Sequence, residues 1–350
     1  MQAVLLGCGG VGRAVLRIAT SGAETSAFSF LAVLDSSGGI ICDGDVALVK
    51  AVLAHKEAGH SLASFTGHGK QGLPKDDVVA QIKAQSLKFA VIDTTAADTV
   101  EELVSFGASA VVLANKKPVA DASAENYKKL VSAATFRHES TVGAGTPILA
   151  TVRRLRAGLD NPTRIEGCMS GTLGFVCSGL DTGKPLSEVV REAKALGYTE
   201  PDPRDDLSGT DVQRKALILA RSCGLDHLEM KDVPVEPLYP PSMGPENMDV
   251  DAFMANLGSL DTDMASRVAA AKERGEVLRY CGTVDVAAGK ASVGLVAVKS
   301  DSPLGRLQGA DNMFVIHSSI YAERPLVLQG AGAGNECTAI GVLADLKEVI

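Results

Sequence analysis

The sequence predicts an α/β chain: a doubly wound parallel sheet, followed by a second unit of mixed α+β type. Three observations predict it. An apolar run at residues 3–6 leads into spaced glycines and then a helical pattern. Strand-like and helix-like stretches alternate from there to about residue 150. Beyond that point the order changes to helices followed by a run of strands. Alternating elements build parallel sheets, and segregated ones build α+β layers. With 350 residues, 46% apolar and 22% charged, the chain can bury more than one core.

The first element is the strand Ala3–Leu6. Gly7, Gly9 and Gly12 follow in the spacing GxGxxG, with Gly10 and Val11 inside it, and then a helix with Val11, Val15, Leu16 and Ile18 on one side. Gly7 permits the tight turn, Gly9 lets backbone approach a pyrophosphate, and Gly12 lets helix and strand pack closely. The helix N-terminus then faces the anion. The spacing alone is weak; its place between a strand and a helix makes it a Rossmann-type dinucleotide signal. "FLAVLDSSG" supplies a second buried strand ending in Asp35, placed to accept the ribose hydroxyls. No Arg or Lys stands in the "SSGG" that follows, so NAD is expected to be preferred, with NADP possible. The strands "FAVIDTT" (89–95) and "ASAVVLANKKP" (108–118) flank the helix "DTVEELVSFG". Ligands of such sheets lie beyond the carboxyl ends of strands, where Thr94, Asn115 and Lys116 stand. After a helix at 123–135, "HESTVGAGTPIL" (138–149) reads as the last strand and loop of a nucleotide-binding domain, expected over 1–150. Inward-turned carbonyls there, with Glu139, suit a hard cation held through oxygen. A plain interdomain turn is the other reading.

In the second domain, expected over 151–320, "RIEGCMSGTLGFVCSGL" reads as a strand with a turn at Gly171–Thr172. Lys184–Leu196 is an amphipathic helix stopped by Gly197. "LSGTDVQRKALILARSCG" is the next helix, with Ser208 as its cap and Asp211 completing a capping box. Val212, Ala216, Leu219 and Cys223 mark its apolar face, and Asp211 and Lys215 share another. "EVLRYCGTVDV", "ASVGLVAVKS", "NMFVIHSSIY" and "PLVLQG" are strands. Within 321–350, "GAGAGNECTAIGVLADLKEVI" is a glycine loop and a helix expected to return to the nucleotide domain and cover its cofactor.

The net charge of −8 excludes a nucleic-acid or acidic-membrane surface as the main partner. No basic leader and no bilayer-length apolar run is present. The seven cysteines are scattered without a CxxC pair, which fits a reducing cytosol and a cytoplasmic location. The six histidines are unclustered and no Ser-His-Asp order exists, so zinc-hydrolase and histidine-based dehydrogenase chemistries are not suggested. His138 and His317 read as structural.

Several stretches together resemble homoserine dehydrogenase: GCGGVG, "ANKKP", "HESTVGAGTPI", "SGTLGF", "LGYTEPDPRDDLSGTDVQRKALILAR" and "GAGAGNECTAIGVLADL". The resemblance implies NAD(P)-dependent interconversion of L-homoserine and L-aspartate 4-semialdehyde, in threonine, methionine and isoleucine synthesis, by a cytoplasmic homodimer or homotetramer. It leaves no room for a preceding aspartate kinase and no regulatory extension after the last helix, so feedback through such a domain is not expected. The second domain would bind substrate and form the oligomer.

By the same resemblance Lys215 is the acid/base, Asp211 its partner, and Lys116 a second lysine, with Lys117 beside it as the alternative. Glu200 and Asp206 match substrate-binding acids, near Gly197, Tyr198 and Thr172. Gly7, Gly9, Gly10, Val11, Gly12, Asp35, Thr94, Lys116 and Gly334 match cofactor contacts. Glu139, Val142, Ala144 and Thr146 match a monovalent-cation site, with sodium as the ion. The chemistry agrees: carboxylates bind the ammonium of homoserine, and a lysine on a rigid helix can take its hydroxyl proton. Three rivals stand beside this reading. They are another semialdehyde or amino-acid oxidoreductase on the same scaffold, a non-catalytic NAD-sensing protein, and a merely solvated helix start at 199–222, where an ion pair is worth under about 1 kcal/mol. Phosphorylating semialdehyde dehydrogenases need an activated cysteine, and none stands in such a motif.

Overall fold

The computed structural model describes residues 1–21, 28–85 and 87–349. The chain divides into two compact units, Met1–Pro147 with Ala333–Ile350, and Ile148–Gly332.

In the first unit β1 (Gln2–Leu6) and α1 (Gly10–Ser21) bracket the glycine loop. β2 (Phe30–Asp35), β3 (Gly38–Ile41) and α2 (Val46–Glu57) follow, then a short hairpin of β4 (Thr66–Gly67) and β5 (Lys70–Gln71). Next come α3 (Lys75–Ala84), β6 (Phe89–Asp93), α4 (Val100–Ser105) and β7 (Ala110–Leu113). α5 (Lys117–Ala120), α6 (Ala124–Ala133) and β8 (Thr135–Arg137) complete the run. The sheet order is β3-β2-β1-β6-β7-β8. All neighbours are parallel except the edge strand β3, which turns back on β2 through Ser36 and Ser37. The strand order reverses at β1, between β2 and β6. That is the switch point where such sheets bind ligands. β1, β6 and β7 are apolar and buried because helices cover both faces of a parallel sheet.

The second unit opens with α7 (Ile148–Ala157), β9 (Pro162–Cys168) and α8 (Gly171–Asp181). α9 (Leu186–Ala195), α10 (Pro203–Leu207), α11 (Thr210–Ser222), α12 (Val250–Asn256) and α13 (Asp261–Glu273) follow. Then come β10 (Glu276–Asp285), β11 (Lys290–Lys299), α14 (Pro303–Arg306), β12 (Asp311–Ser318) and β13 (Leu326–Ala331). The sheet runs β11-β10-β9-β12-β13, antiparallel throughout. α11 lies close over β10 at Gly282, where a Cβ would meet Ala216 Cβ at 3.2 Å and Val212 at 3.4 Å.

The last helix, α15 (Asn335–Val349), belongs to the first unit. Its Ala339, Val342, Leu343 and Leu346 share one buried cluster with Ala14, Val15 and Leu16 of α1 and with Ala90 and Val112 of the sheet. Burying each such valine or leucine side chain is worth roughly 1.5–3 kcal/mol, so α15 is a structural part of the nucleotide unit. No described helix is long and apolar enough to cross a membrane.

Four local expectations are corrected. Gly171–Thr172 is not a turn within a strand but the first turn of α8, N-capped by Ser170, whose side chain accepts the Leu173 N–H. Residues 138–149 hold no strand: β8 ends at Arg137, Glu139–Thr141 is a single 3-10 turn, and α7 starts at Ile148. Ser208 does not cap α11; it follows α10, and Gly209 at φ 73° makes the break before α11. No capping box forms with Asp211, whose carboxylate is engaged by Lys215. Finally, β13 lies within the expected C-terminal segment 321–350 yet pairs with β12, so the strand belongs to the second sheet.

Candidate active site

The glycine loop is built as its spacing implies. Gly7 has φ 90°, and a Cβ there would stand 2.9 Å from the Thr94–Thr95 backbone. A Cβ on Gly12 would stand 2.0 Å from the Gly7 carbonyl oxygen, so only glycine lets α1 approach β1 this closely. At Gly9 there is open space, the side from which a phosphate can reach the backbone. Thr94 lies at the end of β6 and fastens the loop: its hydroxyl is 2.6 Å from the Gly7 carbonyl oxygen and 3.1 Å from that of Leu6.

A cavity of about 730 Å³ opens over this loop, lined by Gly7, Gly9, Arg13, Asp35, Ser36, Lys56, Lys75, Thr94, Thr95 and Glu102 among others. Asp35 ends β2 at its rim. Burial raises the Asp35 pKa, but hydrogen bonds from Lys56 and Ser37 outweigh it and hold the carboxyl below its usual value. The Lys56 ammonium stands 2.6 Å from Asp35 Oδ2. The absence of a cation near Asp35, read from "SSGG", is thereby corrected. Lys56 comes from α2, 21 residues away, and Arg13 and Lys75 line the same cavity. Lys116, the N-cap of α5, is half-buried, whereas Lys117 is exposed. Asn115 is a structural clamp, its amide 3.0 Å from the buried Asp93 carboxylate.

In the second unit α11 carries the lysine. Lys215 is only 7% exposed, on a helix whose residues Ala216–Arg221 are all buried. Its ammonium pairs with Asp211 Oδ2 at 2.7 Å and donates to the Met169 carbonyl at 2.6 Å. Asp211 is half-exposed. A solvated helix start is therefore not what 199–222 forms. An ammonium taken out of water is unfavourable by several kcal/mol unless partners hold it. Two partners leave one of its three N–H groups to face a ligand oxygen.

The acidic segment folds back beside it. Asp202 N-caps α10 and is clamped by Arg204 at 2.7 Å. Asp206 Oδ2 accepts the Glu200 N–H at 2.8 Å, and Thr172 Oγ1 lies 3.0 Å from Asp206 Oδ1 and 2.6 Å from the Tyr198 carbonyl oxygen. The expected residues Thr172, Tyr198, Glu200 and Asp206 are thus in one hydrogen-bonded cluster. Gly197, at φ 74°, makes the turn out of α9 that starts the segment. Burial raises the Asp206 pKa, opposed by these same hydrogen bonds. Met169 escaped the sequence reading because a backbone carbonyl leaves no residue-type signal.

The loop 139–146 lies in the first unit. Glu139 is 5% exposed, and its N–H donates to the buried Asp345 carboxylate of α15 at 2.7 Å. Gly143 at φ 75° and Ala144 at φ 54° reverse the chain there. Val142, Ala144 and Thr146 are buried beside them. Burial pushes the thiols of Cys8, Cys42, Cys177 and Cys223 up to about 12, so none of these supplies a thiolate nucleophile at neutral pH.

The glycine loop at the switch point makes the first unit a fold of the dinucleotide-binding type, and the second unit carries a buried lysine–carboxylate pair. The sequence pattern of the family "Homoserine dehydrogenase" matches residues 147–346, more than half of the chain. The homoserine dehydrogenase of Paracoccidioides brasiliensis is 39% identical over 308 residues, 83% of this chain and 81% of that protein. The chain belongs to the homoserine dehydrogenase family. The chloroplastic bifunctional aspartokinase/homoserine dehydrogenase 1 of Zea mays is 45% identical over 241 residues, 67% of this chain. The chain spans 26% of that relative's length. A solved hyperthermophilic archaeal homoserine dehydrogenase in complex with NADPH superposes with a TM-score of 0.72 at 25% identity, over 99% of this chain and 97% of that one.

Proposed function

We propose that the chain interconverts L-homoserine and L-aspartate 4-semialdehyde with a nicotinamide dinucleotide. The observation that carries this reading is Lys215, a buried ammonium held by Asp211 and the Met169 carbonyl beside the Thr172–Glu200–Asp206 cluster. Bound NAD(P) supplies the hydride acceptor or donor. In oxidation the Lys215 amine takes the proton of the substrate hydroxyl; in reduction its ammonium returns that proton to the carbonyl oxygen. Asp211 fixes the rotamer of Lys215 and offsets its charge. Glu200 and Asp206 bind the α-ammonium, and Thr172 orients Asp206. Lys116, half-buried at the carboxyl end of the parallel sheet, is the second lysine of this reading. Cofactor reduction at 340 nm with L-homoserine tests the activity, and no turnover at millimolar substrate would remove it.

Asp35 and the glycine loop fit a dinucleotide, with Asp35 accepting the ribose hydroxyls. NAD remains the preferred form, because an ionised Asp35 repels a 2′-phosphate. Lys56 partly cancels that repulsion, so the preference is modest. Asp35→Asn leaves Lys56 free for a phosphate and is expected to move the kcat/KM ratio toward NADP by about tenfold, one charge pair being worth ~1.4 kcal/mol here. An unaltered enzyme that already favours NADP would overturn the assignment.

The 139–146 loop fits a monovalent cation, probed as sodium: its donors are carbonyl oxygens and buried carboxylate, which suit a hard ion. Glu139 with the carbonyls of Val142, Ala144 and Thr146 would hold it, contributing structure and no chemistry. The thermal midpoint should rise when sodium chloride replaces tetramethylammonium chloride at constant ionic strength, and this rise should vanish in Glu139→Ala. Equal midpoints in the two salts would count against the site.

A further inference from the structure

Gly209 is the joint of the segment that carries Asp206 and Lys215. Its N–H donates to the Asp206 carbonyl at 3.1 Å and closes α10; its carbonyl accepts the Gln213 N–H at 2.8 Å and opens α11. Its φ of 73° sets the bend between the two helices. A glycine has no side chain with which to hold that bend, so its neighbours must. One of them is Tyr280 of β10, only 3% exposed. A Cβ on Gly209 would overlap the Tyr280 hydroxyl oxygen and stand 2.9 Å from both Tyr280 Cζ and Val235 Cγ2. The tip of the phenol therefore lies against the Gly209 backbone.

That tip is itself fixed. The Tyr280 hydroxyl donates to the Glu236 carbonyl at 2.7 Å. The Glu236 N–H donates to the Val293 carbonyl of β11 at 2.9 Å, and the Leu238 N–H to the Leu207 carbonyl at the end of α10, also at 2.9 Å. One hydroxyl thus ties together β10, the segment 234–238 and the joint. Burial pushes the phenol's pKa up, so the group stays a donor through the neutral range. Two residues along β10, and so on the same face, Gly282 lets Val212 and Ala216 of α11 lie close. Lys215 is fastened separately, through the Met169 carbonyl. With α11 seated on the sheet in this way, the placement of Asp206 relative to Lys215 depends on the bend at Gly209.

We propose that Tyr280 is a positioning residue: its hydroxyl holds the Gly209 joint, and so sets the carboxylate that binds the substrate's ammonium in register with the lysine that moves its hydroxyl proton. This rests on the roles given above to Asp206 and Lys215. Tyr280 acts through the joint and not on the substrate.

Tyr280→Phe keeps the ring and removes the hydroxyl. A misplacement of roughly 1 Å costs about a hundredfold, and the space of one lost hydroxyl allows less, so KM for homoserine should rise about tenfold with a smaller fall in kcat. For 4-hydroxybutyrate, which brings no ammonium to Asp206, kcat/KM should change by less than about twofold. Discrimination between the two alcohols therefore narrows. The Kd for NADH, measured by calorimetry, should not change. In an Asp206→Asn background, Tyr280→Phe should leave the discrimination where Asp206→Asn has put it, because both act through one contact. Equal losses for the two alcohols, the mark of a purely structural role, overturn the proposal, as do additive effects in the double variant. If Asp206→Asn by itself leaves discrimination intact, the ammonium role of Asp206 falls and the proposal with it, a result read without any change at Tyr280.

Discussion

Lys215→Ala leaves dinucleotide binding near normal and lowers kcat by about 10²–10⁴, the span for losing an acid/base group. The separation of the two effects is the point. Lys215 lies in the Ile148–Gly332 unit, and the glycine loop, Asp35 and Lys56 all lie in the other. Removing the ammonium takes one donor from the Met169 carbonyl and one from Asp211, and Asp211 is half-exposed, so water can replace it there. Stability should therefore drop by about 1–3 kcal/mol, mainly from the cavity and the carbonyl's lost donor. Lys215→Arg is a second probe. It keeps the charge but not the compact ammonium, and a guanidinium does not give up its proton, so turnover should stay low. If Lys215→Ala keeps most of its kcat, the buried lysine only joins α11 to the Met169 carbonyl.

4-Hydroxybutyrate, which is homoserine without its amino group, is expected to be turned over with kcat/KM lower by about 10⁴. Asp206 is the acid on which this rests most firmly. One oxygen accepts the Glu200 N–H and the other lies near Thr172, so the carboxylate is fixed before substrate arrives. Its charge has no cation among those contacts, and burial already raises its pKa. An ammonium ligand supplies the missing countercharge; a neutral alcohol leaves it unpaired. The sign of the pH effect follows. Below its raised pKa Asp206 becomes neutral and attracts an ammonium less, so kcat/KM for homoserine should fall as pH drops through that value. Glu200→Gln should raise KM for homoserine and leave the Kd for NAD unchanged. Comparable kcat/KM for the two alcohols would mean that the acids serve the fold alone.

The parallel sheet was legible because its strands are short apolar runs separated by helices, and the glycine spacing fell between a strand and a helix. Family resemblance singled out Lys215, Asp211 and Asp206 as candidates; their burial and bonding are tertiary and no sequence window carries them. The errors have local causes. Gly171, Gly174 and Gly179 lower helix propensity, so α8 read as a turn. Those glycines serve packing instead: a Cβ on Gly174 would stand 2.7 Å from the Gly309 carbonyl oxygen and one on Gly179 2.6 Å from Val189. Tertiary approach overrode propensity there. Ser208 had the right residue type for a cap, but Gly209 in the left-handed region took the position. Lys56 was missed because its pairing with Asp35 is tertiary, across two elements that no short sequence window joins.

The discontinuity of the nucleotide unit has a consequence for how the protein is made. Synthesis supplies every strand of the parallel sheet by residue 137, yet the buried cluster on α1, β6 and β7 still lacks Ala339, Val342, Leu343 and Leu346. A ribosome must add the whole intervening unit before those residues emerge. Domains usually complete in the order they are translated. Here the unit begun first is the one finished last, and during that interval it presents an uncovered apolar face to the cell's chaperones.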